Sequence, residues 1–124
     1  MTHSLFLYDY ETTGTHPQKD RPLQFAGVRT DLDFNIIDDP ISLYCKLSLD
    51  ILPHPQACLL TGITPQLANE KGECEANFMR IIHKEFSRPR TCTLGYNSIR
   101  FDDEITRHSF YRNFFDAYER EWQH

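Results

Sequence analysis

The chain has no apolar run approaching the roughly 18 residues that would suggest a membrane span. Its first residues, Met1-Thr2-His3-Ser4, carry no basic segment, and the short apolar stretch after them leads into acidic residues, which argues against a signal peptide. Closely paired cysteines are missing too. Cys45, Cys58, Cys74 and Cys92 are unevenly spaced with no Cys-x-x-Cys, which argues against a zinc site and gives no sign of a disulfide framework. A reducing cytoplasm is the expected compartment. Nor is there an excess of positive charge: the formal net charge is −5, which by itself speaks against a polyanionic partner.

What the chain does have is enough length, at 124 residues, for one domain or part of one with a buried core. Its 40% hydrophobic and 25% charged content is ordinary for a soluble globular protein. The charge is unevenly spread. Residues 1–79 hold 5 basic and 11 acidic side chains, whereas residues 80–120 hold 8 basic and 6 acidic. An acidic body with a basic C-terminal third permits a local anionic ligand without requiring one.

The stretch that organises the rest is Leu5-Phe6-Leu7-Tyr8-Asp9-Tyr10-Glu11-Thr12-Thr13-Gly14. Residues 5–9 are bulky and β-favouring at nearly every position, which predicts a strand covered on both faces. Asp9 and Glu11 stand two residues apart on an extended backbone, so their carboxylates point the same way. Two anions held together repel, and one tends to keep its proton unless a cation lies between them. Hard divalent cations take oxygen ligands of this kind. The spacing alone is weak, because Asp-x-Glu recurs at Asp102-x-Glu104 in a chain with ten Asp and eight Glu. Position sharpens it: the first pair follows an apolar strand and precedes a glycine turn.

Further along, residues 23–30 read as a second strand. Residues 36–47 read as a third, with a bulge or bend at Asp38-Asp39-Pro40. Short turns between these three predict an antiparallel meander. Residues 55–60 suit a short helix, and Thr64 suits the cap of a helix beginning at Pro65. In residues 75–86, Phe78, Ile81, Ile82 and Phe86 fall at helical spacing. Residues 91–95 read as a short fourth strand, and 101–115 as a helix carrying Ile105, Phe110 and Phe114. The order β-β-β-α-β-α predicts an α/β or α+β layer built on a sheet.

After the fourth strand, Gly95-Tyr96-Asn97-Ser98-Ile99-Arg100-Phe101-Asp102-Asp103-Glu104 repeats the pattern of a strand end followed by carboxylates. Acidic residues in a first helical turn complement the helix dipole and need no metal, an account that covers Asp103 and Glu104. Asp102 differs only if it meets Asp9 and Glu11 in space, which a fourth strand lying beside the first would allow.

Asp9-Tyr10-Glu11-Thr12-Thr13-Gly14, Thr61-Gly62-Ile63-Thr64 and residues 97–102 together resemble successive motifs of the DEDD, or DnaQ-like, 3′→5′ exonucleases. Asp20-Arg21-Pro22-x-Gln24-Phe25-Ala26, Gly95-Tyr96-Asn97, Arg100-Phe101-Asp102-Asp103-Glu104, Phe110-Tyr111-Arg112-Asn113-Phe114 and Trp122-Gln123-His124 extend the resemblance to the bacterial exodeoxyribonuclease I branch, over essentially the whole chain. The resemblance implies a ribonuclease H-like mixed sheet flanked by helices. It implies Asp9, Glu11 and Asp102 as catalytic, metal-binding carboxylates holding two Mg²⁺ ions, or Mn²⁺ in their place, roughly 4 Å apart about a scissile phosphate. It also implies single-stranded DNA as substrate, met by Glu11, Arg107, Tyr118 and Trp122, and a single-strand DNA-binding protein as a partner reached through other parts of the polypeptide.

From Arg107 to Trp122 basic and aromatic residues interleave, and exposed rings can stack bases while Arg neutralises phosphate. Phe110 and Phe114 are assigned to packing. One family motif is absent: no histidine here is followed five positions later by aspartate. Residues 1–124 are therefore expected to be the N-terminal portion of the exonuclease domain, truncated before its last strand and helix and inactive alone for want of the general base and fourth carboxylate. The rivals are a related RNA exonuclease or proofreading subunit in the same fold, and a non-catalytic nucleic-acid-binding module.

Overall fold

A computed structural model of the chain describes residues 3–14, 20–47, 55–95 and 102–113. The elements among them are β1 (Ser4–Thr12), β2 (Pro22–Thr30), β3 (Ile41–Tyr44), α1 (Pro55–Thr61), α2 (Pro65–Lys71), α3 (Glu75–Phe86), β4 (Thr91–Gly95) and α4 (Asp102–Arg112). The strands form one mixed sheet in the order β3-β2-β1-β4. β1, β2 and β3 make the expected antiparallel meander, and β4 adds to the other edge of β1, parallel to it. Among the described residues no helix is long and apolar enough to cross a membrane. The four cysteines are all free thiols.

The core lies on one face of the sheet. Phe6, Tyr8 and Tyr10 of β1 and Phe25 of β2 pack against Phe78, Met79, Ile82 and Phe86 of α3 and Ile105 and Phe110 of α4. The rings of Tyr8 and Phe86 meet nearly edge to face at 5.0 Å, as do those of Tyr10 and Phe25. Gly27 makes this packing possible, since a Cβ there would lie 2.4 Å from the Phe6 ring. Met79 is fully buried on α3, whereas Ile81, expected in the stripe, is only half-buried.

Coverage of β1 on both faces is not found. Its burial alternates: Leu5 and Leu7 are half-buried and Asp9 is exposed, while Phe6, Tyr8 and Tyr10 are buried. Leu94 of β4, paired with Leu7, is 40% exposed. The reason is that α3 and α4 both contribute their apolar side chains to the same face.

The third strand is shorter than expected. Ile36 makes one isolated bridge to Thr30, and Ile36 and Ile37 are exposed. The Asp31 carboxylate accepts from the backbone N–H groups of Asp33 and Asn35 and so closes a tight loop, which ends regular pairing there. Thr64 caps α2 as its sequence predicts, its hydroxyl accepting from Leu67 N–H at 3.1 Å. The final helix is described over Asp102–Arg112, and the Phe114 core assignment lies outside the described residues.

At the end of the sheet where β1 and β4 begin, Arg29 is buried to 1% exposure. Its Nη1 donates to Ser4 Oγ and Thr91 Oγ1, each at 2.8 Å. Nη2 donates to the Glu85 carbonyl at 2.7 Å and to its carboxylate at 3.1 Å. The guanidinium carbon sits 4.9 Å from the centre of the Phe6 ring. One side chain on β2 thereby joins β1, β4 and the last turn of α3. Arg29→Met leaves these partners without their donor and is expected to lower the unfolding free energy by about 3 kcal/mol, measured by urea denaturation. Arg29→Lys, a point donor with no planar fork, should recover less than half of it. A loss of about 1 kcal/mol or less, the range of a surface pair, would show the network to be dispensable.

Candidate active site

The period-two geometry of β1 sets the site. With Phe6, Tyr8 and Tyr10 directed into the core, Asp9 and Glu11 necessarily occupy the opposite face. Asp9 is exposed and Glu11 half-buried. An open groove of about 450 Å³ lies beside Asp9, lined by Leu7, Ala26, Val28 and Ser42 among others.

The strand register shifts between Glu11 and Thr12, so β1 bends immediately after the second carboxylate. Residues 20 and 21 hold that bend. Thr13 N–H donates to the Arg21 carbonyl at 2.9 Å, and Arg21 N–H donates to Thr13 Oγ1 at 2.9 Å. The buried Thr13 hydroxyl in turn donates to Asp20 Oδ1 at 3.0 Å. Read from the sequence, residues 16–22 are a polar loop broken by two prolines, and that reading missed this clamp. The signal was available as an acid and a β-branched hydroxyl residue flanking the loop, but nothing local marks them as partners.

Burial pushes the Glu11 carboxyl above the usual glutamate range, and the neighbouring Asp9 charge pushes it further. This is the repulsion expected of two adjacent anions. The donor set is all oxygen and open to solvent, which fits a hard divalent cation that would offset the repulsion.

β4 runs beside β1 with Gly95 opposite Tyr8, and α4 begins at Asp102. One turn into α4, Thr106 shares a hydrogen bond with the Tyr10 hydroxyl at 2.8 Å. The topology therefore brings the first turn of α4 to the end of β1 that carries the carboxylates. The Asp102 side chain lies outside the described residues, as do Tyr118 and Trp122. Among the described residues no three acidic, His or Cys side chains form a metal-sized cluster.

Arg107 lies on the outer face of α4. Glu104, assigned above to the helix dipole alone, forms an ion pair with Arg107, and its second oxygen is 3.7 Å from His108 Nε2. Between them, Ile105, Thr106, Ser109 and Phe110 face inward and are buried.

A family model described as RNase_T, exonuclease, matches residues 6–124. Exodeoxyribonuclease I of Escherichia coli is 60% identical over 122 residues, covering 98% of this chain and 26% of that protein. A solved structure of E. coli exonuclease I in complex with a dT13 oligonucleotide superposes with a TM-score of 0.96 at 57% identity, covering 99% of this chain and 26% of that one. A structure described as an ExoI/SSB-Ct complex gives a TM-score of 0.97 at 56% identity, covering 100% of this chain and 27% of that one. The ribonuclease H-like fold is thus established, and the chain spans about a quarter of the length of the curated relatives it matches.

The raised Glu11 pKa carries a sign. Between the unfolded and folded pKa values the folded chain binds more protons, so stability is lost as pH rises through that window. Glu11→Gln should therefore melt at a higher temperature than the parent at pH 7 without metal. The difference should close below the ordinary glutamate pKa of about 4.3. A Tm difference independent of pH would assign the effect to packing.

Proposed function

Because the chain belongs to the RNase_T exonuclease family, we propose that it carries the metal-binding half of a 3′→5′ exonuclease site acting on single-stranded DNA. The observation that carries this reading is the Asp9–Glu11 pair at the bent end of β1, with its raised Glu11 pKa, beside the strand–helix unit that introduces Asp102. The likeness to a structure holding a dT13 oligonucleotide supports the substrate class.

Asp9, Glu11 and Asp102 would hold two divalent cations, Mg²⁺ in the first instance. Such cations, when bound, activate water and stabilise the departing 3′ oxygen. The new bond joins the water oxygen to phosphorus as the bond to the preceding nucleotide's 3′ oxygen breaks, and the released product is a 5′-monophosphate. The chain's own contribution is placement. The Thr13–Asp20–Arg21 clamp keeps Glu11 at a fixed bend, where it also meets the terminal nucleotide. Arg107, held by Glu104, meets a phosphate, and Tyr118 and Trp122 meet bases farther along the strand. Phosphoryl transfer asks for little beyond such positioning and charge.

Residues 1–124 are the N-terminal portion of the domain in this reading, working in the cytoplasm, and the general base and fourth carboxylate come from sequence outside them. A single-strand DNA-binding protein is the proposed partner, as the ExoI/SSB-Ct complex suggests. A chimera tests the whole. Substituting this chain for the matching quarter of E. coli exodeoxyribonuclease I should preserve Mg²⁺-dependent release of nucleotides from single-stranded DNA, in preference to duplex DNA or RNA. The chain alone should be slower by about 10² to 10⁴ or more. Equal turnover by chain and chimera would place the complete catalytic set within these residues, and a dead chimera would leave a binding module.

A further inference from the structure

The outer face of α4 carries Glu104, Arg107, His108 and Tyr111, at the i, i+3, i+4 and i+7 positions that align along one side of a helix. Tyr111 is 78% exposed, and an isolated exposed ring would call for no explanation. Its neighbours set it apart. It stands four residues, about 6 Å along the helix, beyond Arg107, whose guanidinium is tied to Glu104, with His108 Nε2 3.7 Å from the same carboxylate. The inward stripe of Ile105, Thr106, Ser109 and Phe110 fixes how the helix is rotated, so the ring cannot turn into the core. A basic group and an exposed ring on one rigid helix face, starting from the end that carries the candidate site, have the composition of a surface that takes a phosphate and stacks a base.

We infer that Tyr111 is a base-stacking contact for single-stranded DNA, extending the track from Arg107 along α4; this rests on the nuclease reading above. The contact is sequence-tolerant, because every base offers a ring face. It is also independent of the metal site, so it can be measured without turnover.

The test is binding of labelled dT12, and of an abasic strand of equal length and charge, to the full chain in EDTA, by fluorescence anisotropy. Tyr111→Leu, which removes the ring from an exposed position, should weaken dT12 binding by about five- to a hundredfold. Tyr111→Phe should stay within about twofold of the parent, since it keeps the ring. The abasic strand should bind all three proteins alike. Equal dT12 affinity of Tyr111→Leu and the parent, or an equal loss on the abasic strand, would overturn the stacking role while leaving the nuclease reading intact. Failure of the parent itself to bind dT12 would overturn both.

Discussion

The structure depends on the alternation of β1. This strand is paired along both edges, antiparallel to β2 and parallel to β4, and every second side chain enters an aromatic core. A slip of one residue would drive Asp9 and Glu11 into that core and expose Phe6, Tyr8 and Tyr10. Desolvating two unpaired carboxylates costs far more than the fold has to spare. The apolar face of β1 therefore determines where the acidic pair stands, and the position of the acidic pair helps to fix the register.

The two ends of β1 are secured by different chemistry. Where the strand starts, a buried guanidinium satisfies two hydroxyls and a helix terminus at once, a fixed multidentate contact suited to a place that need not move. At the carboxylate end the anchors are hydrogen bonds of ordinary length among Thr13, Asp20 and Arg21. Among the described residues they settle the bend without bringing a cation onto the Asp9–Glu11 pair, and Glu11 remains displaced from its ordinary pKa by burial and by Asp9. Two carboxylates, one of which raises the pKa of the other, gain from binding a cation between them.

Several features were legible locally. The bounds of α3 and β4 follow from apolar spacing and from the breaks around Arg88-Pro89-Arg90 and Gly95. The Thr64 cap is written in Thr-Pro. The shared face of Asp9 and Glu11 needs only the period of a strand. Residues 36 and 37 misled because both isoleucines look like strand residues yet lie exposed beyond a loop that Asp31 closes, whereas the bend expected at Asp38-Asp39-Pro40 is present. Arg29 was unreadable for the opposite reason: it resembles an outward strand cation, but its partners Ser4, Glu85 and Thr91 are far away along the chain.

By itself, then, the sequence determined the quantities that depend on covalent neighbours: which side chains alternate along β1, where helices start and stop, that two carboxylates share a face, and through its ordered motifs the family to which the chain belongs. Only the tertiary structure decided that α3 and α4 cover the same side of the sheet, that β4 lies parallel beside β1, and that Glu104 is paired with Arg107 and lies close to His108 while Tyr111 stands clear in solvent. Periodicity is carried by each residue's own backbone, whereas coverage and charge pairing arise only when distant segments close on one another and exclude water.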